Sequence, residues 1–144
     1  MPAVSRSVLV AHGAPRMFEL VDRVEDYPLF LPWCGGSEVL MRSADITRAR
    51  VDIDFKGLKQ SFTTENSKEA PTLMLLRLVE GPFSSLEGRW EFQPLTPEAC
   101  KVILTLDYQF RNLALQQLVG PVFKTITETL VDRFVARADS GAAK

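Results

Sequence analysis

The chain has 144 residues, 46% of them hydrophobic and 24% charged, with 17 basic side chains against 18 acidic ones and a formal net charge of −1. That size and composition suit one globular core, so a single domain over residues 1–144 is expected. The near-neutral balance gives no electrostatic basis for general binding to DNA, other nucleic acid or an anionic membrane surface. No stretch approaches the roughly 18 uninterrupted apolar residues of a membrane span, and Met1-Pro2-Ala3-Val4-Ser5-Arg6 lacks the apolar centre of a secretory leader. Cys34 and Cys100 lie far apart and outside any metal-ligand spacing. The expectation is a cytoplasmic protein with two reduced thiols.

In chain order, Ser5 to Ala11 alternates around Val8-Leu9-Val10 and predicts a strand. Gly13-Ala14-Pro15 opens a helix, since proline suits a first helical turn, and Met17, Phe18, Leu20, Val21 and Val24 supply its apolar stripe. Glu25-Asp26-Tyr27-Pro28 starts a short second helix or turn, which runs into Leu29-Phe30-Leu31-Pro32-Trp33-Cys34, and Gly35-Gly36 is expected to end this unit. Beyond it the period becomes two. Glu38 to Arg42 reads as a strand, and Val51, Ile53 and Phe55 alternate with Asp52, Asp54 and Lys56. Phe62 and Thr64 continue that alternation past Gly57, and Leu73 to Val79 is an apolar run broken by Arg77. After Gly81-Pro82, Leu86, Gly88, Trp90 and Phe92 alternate with charged and polar residues, and Val102, Leu104, Leu106, Tyr108 and Phe110 form one face of a long strand.

These segments predict seven strands, followed by a helix from about Asn112 to Ala138. Its expected apolar face is Leu115, Leu118, Val119, Val122, Phe123, Ile126, Leu130 and Phe134, with a kink or a fresh start at Gly120-Pro121. Seven strands at about 4.8 Å each span ~29 Å, more than one helix of about 10–12 Å can cover on a flat sheet. The sheet must twist and curl around the helix. A curl that does not close tightly leaves a space lined with apolar side chains; large core residues filling the same space are the alternative.

The run Tyr27-Pro28-Leu29-Phe30-Leu31-Pro32-Trp33-Cys34 resembles the START-like coenzyme-Q-binding family. So do Phe55-Lys56-Gly57 with Ser61-Phe62-Thr63-Thr64, Gly81-Pro82-Phe83 with Leu86 to Phe92, and Gly120-Pro121-Val122-Phe123, in order along nearly the whole chain. The resemblance implies an α+β helix-grip fold of the START and Bet v 1 type: a curved seven-stranded antiparallel sheet wrapped around a long C-terminal helix. It implies a cavity for ubiquinone or a similar polyprenyl lipid, a supporting role in respiration and transient membrane contact. A toxin branch of the family instead binds the large ribosomal subunit and blocks subunit association. The wider superfamily includes polyketide cyclases.

The residues themselves offer little chemistry. His12, the one histidine, is expected as a solvated turn residue, because no partner is nominated to hold it for acid–base work. Cys34 reads as a packed thiol beside Trp33. Asp52 and Asp54 share a strand face with Arg48 and Arg50, so they read as solvated charges, and no basic stripe forms. Arg77 is expected in solvent. No phosphate loop or nucleophile elbow is present, so no catalytic residue, metal or cofactor is expected and binding is the expected activity. The candidate ligand-binding residues are Phe30, Trp33, Phe55, Phe62, Leu75, Phe83, Trp90, Leu106, Tyr108, Phe123, Ile126 and Leu130. Trp33 and Phe83 lie in Pro/Gly-rich connections and are the candidates for a pocket mouth.

Overall fold

The structure is a computed structural model that describes residues 3–141. Strand β1 (Ala3–Val10) leads into helix α1 (Ala14–Asp22), a 3-10 turn (Val24–Asp26) and the single-turn helix α2 (Tyr27–Phe30). The meander β2 (Cys34–Arg42), β3 (Ile46–Phe55), β4 (Leu58–Glu69), β5 (Leu73–Glu80), β6 (Phe83–Thr96) and β7 (Ala99–Phe110) follows, and α3 (Leu113–Asp139) ends the fold. All seven strands form one antiparallel sheet in the order β1-β7-β6-β5-β4-β3-β2. The first strand thus pairs with the last, and α1 and α2 carry the chain from one sheet edge to the other. This is the expected α+β helix-grip architecture.

Local chemistry accounts for the details. β3 and β4 are joined by Lys56 and Gly57, both at positive φ (51° and 83°), which is the turn whose twist matches a tight hairpin. Along β3 the inward positions Thr47, Ala49, Val51 and Ile53 are buried, while Arg48 and Asp54 are exposed. Mid-sheet, a Cβ at Gly88 would stand 2.9 Å from Leu106 Cδ1 and 3.4 Å from Leu76 Cβ, so only glycine lets β5 and β7 side chains close over β6.

Two expectations are corrected at element ends. Gly35 and Gly36 do not end a unit; they lie inside β2, where Gly36 pairs with Asp52 beyond a bulge between Cys34 and Gly36. Helix α3 does not start afresh at Gly120-Pro121 but begins at Leu113 and includes Pro121, its first turn capped by the Asn112 side chain accepting from Leu115 N at 2.8 Å. Pro121 and Gln117 are both exposed, so the carbonyl that loses its donor is on the wet side of the helix.

The face of α3 turned to the sheet is Val119, Phe123, Ile126, Thr127, Val131, Phe134 and Ala138. Leu118, placed on that face from the sequence, is 60% exposed. It sits about 100° round the helix from Val119, and Leu115 and Val122 are only half-buried. The interior divides into two clusters. Met17, Phe18, Leu20 and Val21 of α1 pack with Phe92 and Phe134. Trp33, Ala49, Phe83, Phe110 and Phe123 belong to the second.

Candidate functional site: an apolar cavity under the C-terminal helix

A cavity of about 80 Å³ lies between the inner sheet face and α3. Ala49 and Val51 (β3), Phe62, Thr64 and Asn66 (β4), and Leu86 and Trp90 (β6) line it from the sheet. Phe123, Ile126, Thr127, Leu130 and Phe134 of α3 line it from the helix, with Val24, Tyr27 and Trp33 at one side. No carboxylate, histidine, cysteine, lysine or arginine is in the lining. Its polar atoms are largely spoken for: Tyr27 OH donates to Val21 O, Thr64 Oγ1 to Asn66 Oδ1 at 2.9 Å and Thr127 Oγ1 to Lys124 O at 3.0 Å. Tyr27 is the lining's titratable group, and burial drives its phenol far above its ordinary value. Trp33 Nε1 is different: it is buried with no acceptor among the described residues.

The structure brings Trp33, Phe62, Trp90, Leu106, Phe123, Ile126 and Leu130 together around this space. Phe83 and Tyr108 stand one layer behind, with ring centroids 5.0 and 4.7 Å from Phe123. Phe30 packs on Phe134 at 5.3 Å from outside the lining and carries the Arg137 guanidinium 5.0 Å from its ring. Phe55 is half-buried at the β3–β4 turn, near the Lys56 ammonium, and lines no part of the cavity. Leu75 is 40% exposed, because the two-residue period of β5 turns Met74 and Leu76 inward and Leu75 outward. Trp33 and Phe83 do not form a mouth: they are 6% and 3% exposed. Phe83 is held in an aromatic cluster, stacked on Phe110 at 5.0 Å.

Among the described residues, no three His, Cys, Asp or Glu side chains gather as metal ligands. His12 does have a partner: its Nε2 lies 2.7 Å from Asp139 Oδ1, tying the end of β1 to the end of α3. Both cysteines are free and buried. Burial pushes the Cys34 thiol up to about 11, although Cys34 Sγ donates to Gly36 O. Asp54 is exposed, and Asp52 accepts from Arg50 and Ser61 on the outer face. Arg77 is solvent-facing and bonded to Glu65.

Sequence reasoning followed the inner face of β4 through Phe62 and Thr64 and missed its continuation. Asn66 and Lys68 share their inward parity and, like Thr64, are buried. Lys68 Nζ lies 3.1 Å from Asp22 Oδ2 at the end of α1, and Thr47 Oγ1 donates to Asp22 Oδ1 at 2.8 Å. Arg42 adds a bidentate pair to Glu25 and a bond to Asp22 O, so α1 and the 3-10 turn are clamped to β2, β3 and β4. The signal was parity; the polarity of these residues concealed it.

An apolar cavity without charged side chains, between a seven-stranded antiparallel sheet and a long C-terminal helix, defines a helix-grip domain. Residues 10–135 match the family model for polyketide cyclase / dehydrase and lipid transport, and the chain belongs to that family. It is 40% identical over 138 residues to ribosome association toxin RatA of Escherichia coli (strain K12), covering 96% of this chain and 87% of the relative. It is 41% identical to ribosome association toxin RatA of Vibrio cholerae serotype O1 (strain ATCC 39541), covering 96% of each. The mitochondrial coenzyme Q-binding protein COQ10 homolog B of Xenopus laevis is more distant, at 25% over 138 residues, 93% of this chain and 57% of the relative. In fold, the chain is similar to the Zhui aromatase/cyclase from Streptomyces sp. R1128 (TM-score 0.83, 18% identity, 96% and 93% of the two chains). A START superfamily protein from Mycobacterium smegmatis gives 0.80 at 24% identity, over 96% and 97%. Among the described residues, no helix is long and apolar enough to cross a membrane.

Proposed function

We propose that the chain is a cytoplasmic protein that binds a neutral apolar molecule without turning it over, and that a ubiquinone-like polyprenyl lipid is the ligand class. The observation that carries this reading is the cavity lining: apolar walls, uncharged polar groups, and no side chain that could exchange a proton near neutral pH. The distant likeness to a protein named for coenzyme Q binding supports the choice of quinone. A cavity of about 150 Å³ admits benzene, so a substituted quinone ring in about 80 Å³ requires sheet and helix to part on binding. Each buried methylene contributes about 0.8 kcal/mol, and micromolar affinity needs about 8 kcal/mol net of ordering costs. A ring with two or three isoprene units reaches that; a longer tail protrudes and brings the complex into transient membrane contact.

A second reading, binding to the large ribosomal subunit with loss of subunit association, is favoured by the 40% identity to proteins named ribosome association toxins. The outer face of β3 offers a polyanion no free arginine. Arg48 is paired with Glu65, and Arg50 with Glu38 and Asp52. One experiment addresses both readings. A short-tailed ubiquinone at a hundred times its Kd should stabilise the fold by about 2.7 kcal/mol through mass action and raise Tm. No thermal shift and no tryptophan fluorescence change, with subunit joining blocked at low micromolar protein, would discard the lipid reading for the ribosomal one.

A further inference from the structure

We propose that the Trp33 indole N–H is the hydrogen-bond donor to the bound molecule, so that the cavity selects an uncharged apolar ligand carrying an oxygen acceptor, a carbonyl or ether, at one end. This rests on the apolar-ligand reading above and adds its recognition chemistry. Trp33 is 6% exposed, lines the cavity, and its Nε1 has no acceptor among the described residues. A buried donor without a partner is rare in a folded chain and calls for an explanation. The lining hydroxyls do not need one: those of Tyr27, Thr64 and Thr127 have each placed their proton on a protein oxygen.

The residue cannot readily swing its N–H to water. Its backbone is fixed on both sides, with Trp33 O accepting from Asp54 N at 2.8 Å and Cys34 N donating to Leu31 O at 3.0 Å. Its ring belongs to the buried cluster with Val24, Ala49 and Phe123. The acceptor must therefore come to the indole, as part of what fills the cavity. An indole N–H donates and never accepts, which specifies an acceptor on the ligand. With no cation in the lining, a carboxylate would enter without a counter-charge. The ligand end is a neutral carbonyl or ether oxygen.

The test compares two probes of equal tail length, a decyl-tailed ubiquinone and decylbenzene, on wild type and on Trp33→Phe, which keeps an aromatic ring but removes the donor. Trp33→Phe should weaken the quinone about fivefold more than it weakens decylbenzene, the weight of one hydrogen bond on top of the ring contact both probes lose. In wild type the Trp33 indole 1H–15N peak, assigned by through-bond and through-space connectivities in the wild-type protein, should move downfield with the quinone and not with decylbenzene; this arm holds even if the variant folds poorly. Equal weakening of both probes, or an indole peak that ignores a bound quinone, would overturn the donor role while leaving the lipid reading standing. Failure of both probes to bind wild type would overturn both.

Discussion

Ala49→Ile fills the cavity from the sheet side. Ala49 is 1% exposed, lines the cavity and is flanked in register by Val39 on β2 and Thr64 on β4. Isoleucine adds three carbons in a β-branched shape that suits a strand interior. Each occupies roughly the 30 Å³ of one water, so together they approach the space available. At ~24 cal/mol per Å³, removing about 80 Å³ of void stabilises by about 2 kcal/mol. Three additional buried carbons at about 0.8 kcal/mol each give a similar figure. At about 2–4 °C per kcal/mol for a domain near this size, the unliganded Tm should rise by about 4–8 °C. The same substitution should abolish the Tm shift produced by decyl-tailed ubiquinone. Calorimetry with and without the quinone reads both effects. A lowered Tm would mean that the void is not where Ala49 can fill it, and strain of about 1–3 kcal/mol has won instead. A raised Tm with undiminished quinone binding would refute the assignment of the site to this cavity.

Lys68→Met leaves the Asp22 carboxylate without its closest cation and should destabilise by about 3 kcal/mol, with Asp22→Asn in the same chain recovering part of the loss; urea midpoints of the two single variants and the double check this. Hydrogen bonding from Arg42 lowers the Glu25 carboxyl from its ordinary 4.5 to about 2. Its contribution is therefore complete above pH 4.5 and is lost as pH falls toward 2. Glu25→Gln should flatten that part of the stability–pH curve by no more than about 1 kcal/mol, since the pair is partly solvated. Cys34, raised by burial to about 11, should react with iodoacetamide at pH 8 about a hundredfold more slowly than an exposed thiol; Cys100, also raised by burial, should be slowed too, and both should reach the free rate in denaturant. Trp33→Ala removes a core side chain rather than a loop contact, so it should cost about 3–5 kcal/mol, which a Tm measurement would show directly.

The fold was legible because strict alternation in β3, β6 and β7 leaves one way to arrange their faces, and because a single helix must be gripped by so wide a sheet. The cavity was legible less evenly. Trp90, Leu106, Phe123 and Ile126 lie where period and apolarity agree. Thr64, Asn66 and Thr127 lie inward by period alone, and their polarity argues for the surface until a hydrogen-bond partner is known. Leu75 shows the reverse error, an apolar residue whose parity points out. Trp33 sits among prolines and glycines, which suggested exposure. Its burial depends on strands β3 and β4 and helix α3, distant in sequence, closing over it.

The sheet is open, and β1 and β2 are its two free margins. A straight margin would be a template for another chain's backbone, and β2 also displays Leu40 at 50% and Met41 at 42% exposure. Its pairing is interrupted twice, between Cys34 and Gly36 and again between Val39 and Met41, so its outward amides follow no regular ladder. Glu38 and Arg42 place charges along the same border, each tied to a partner within the chain. Straightening this border, by removing either irregularity, would present a regular ladder on which further copies of the chain could stack at high concentration.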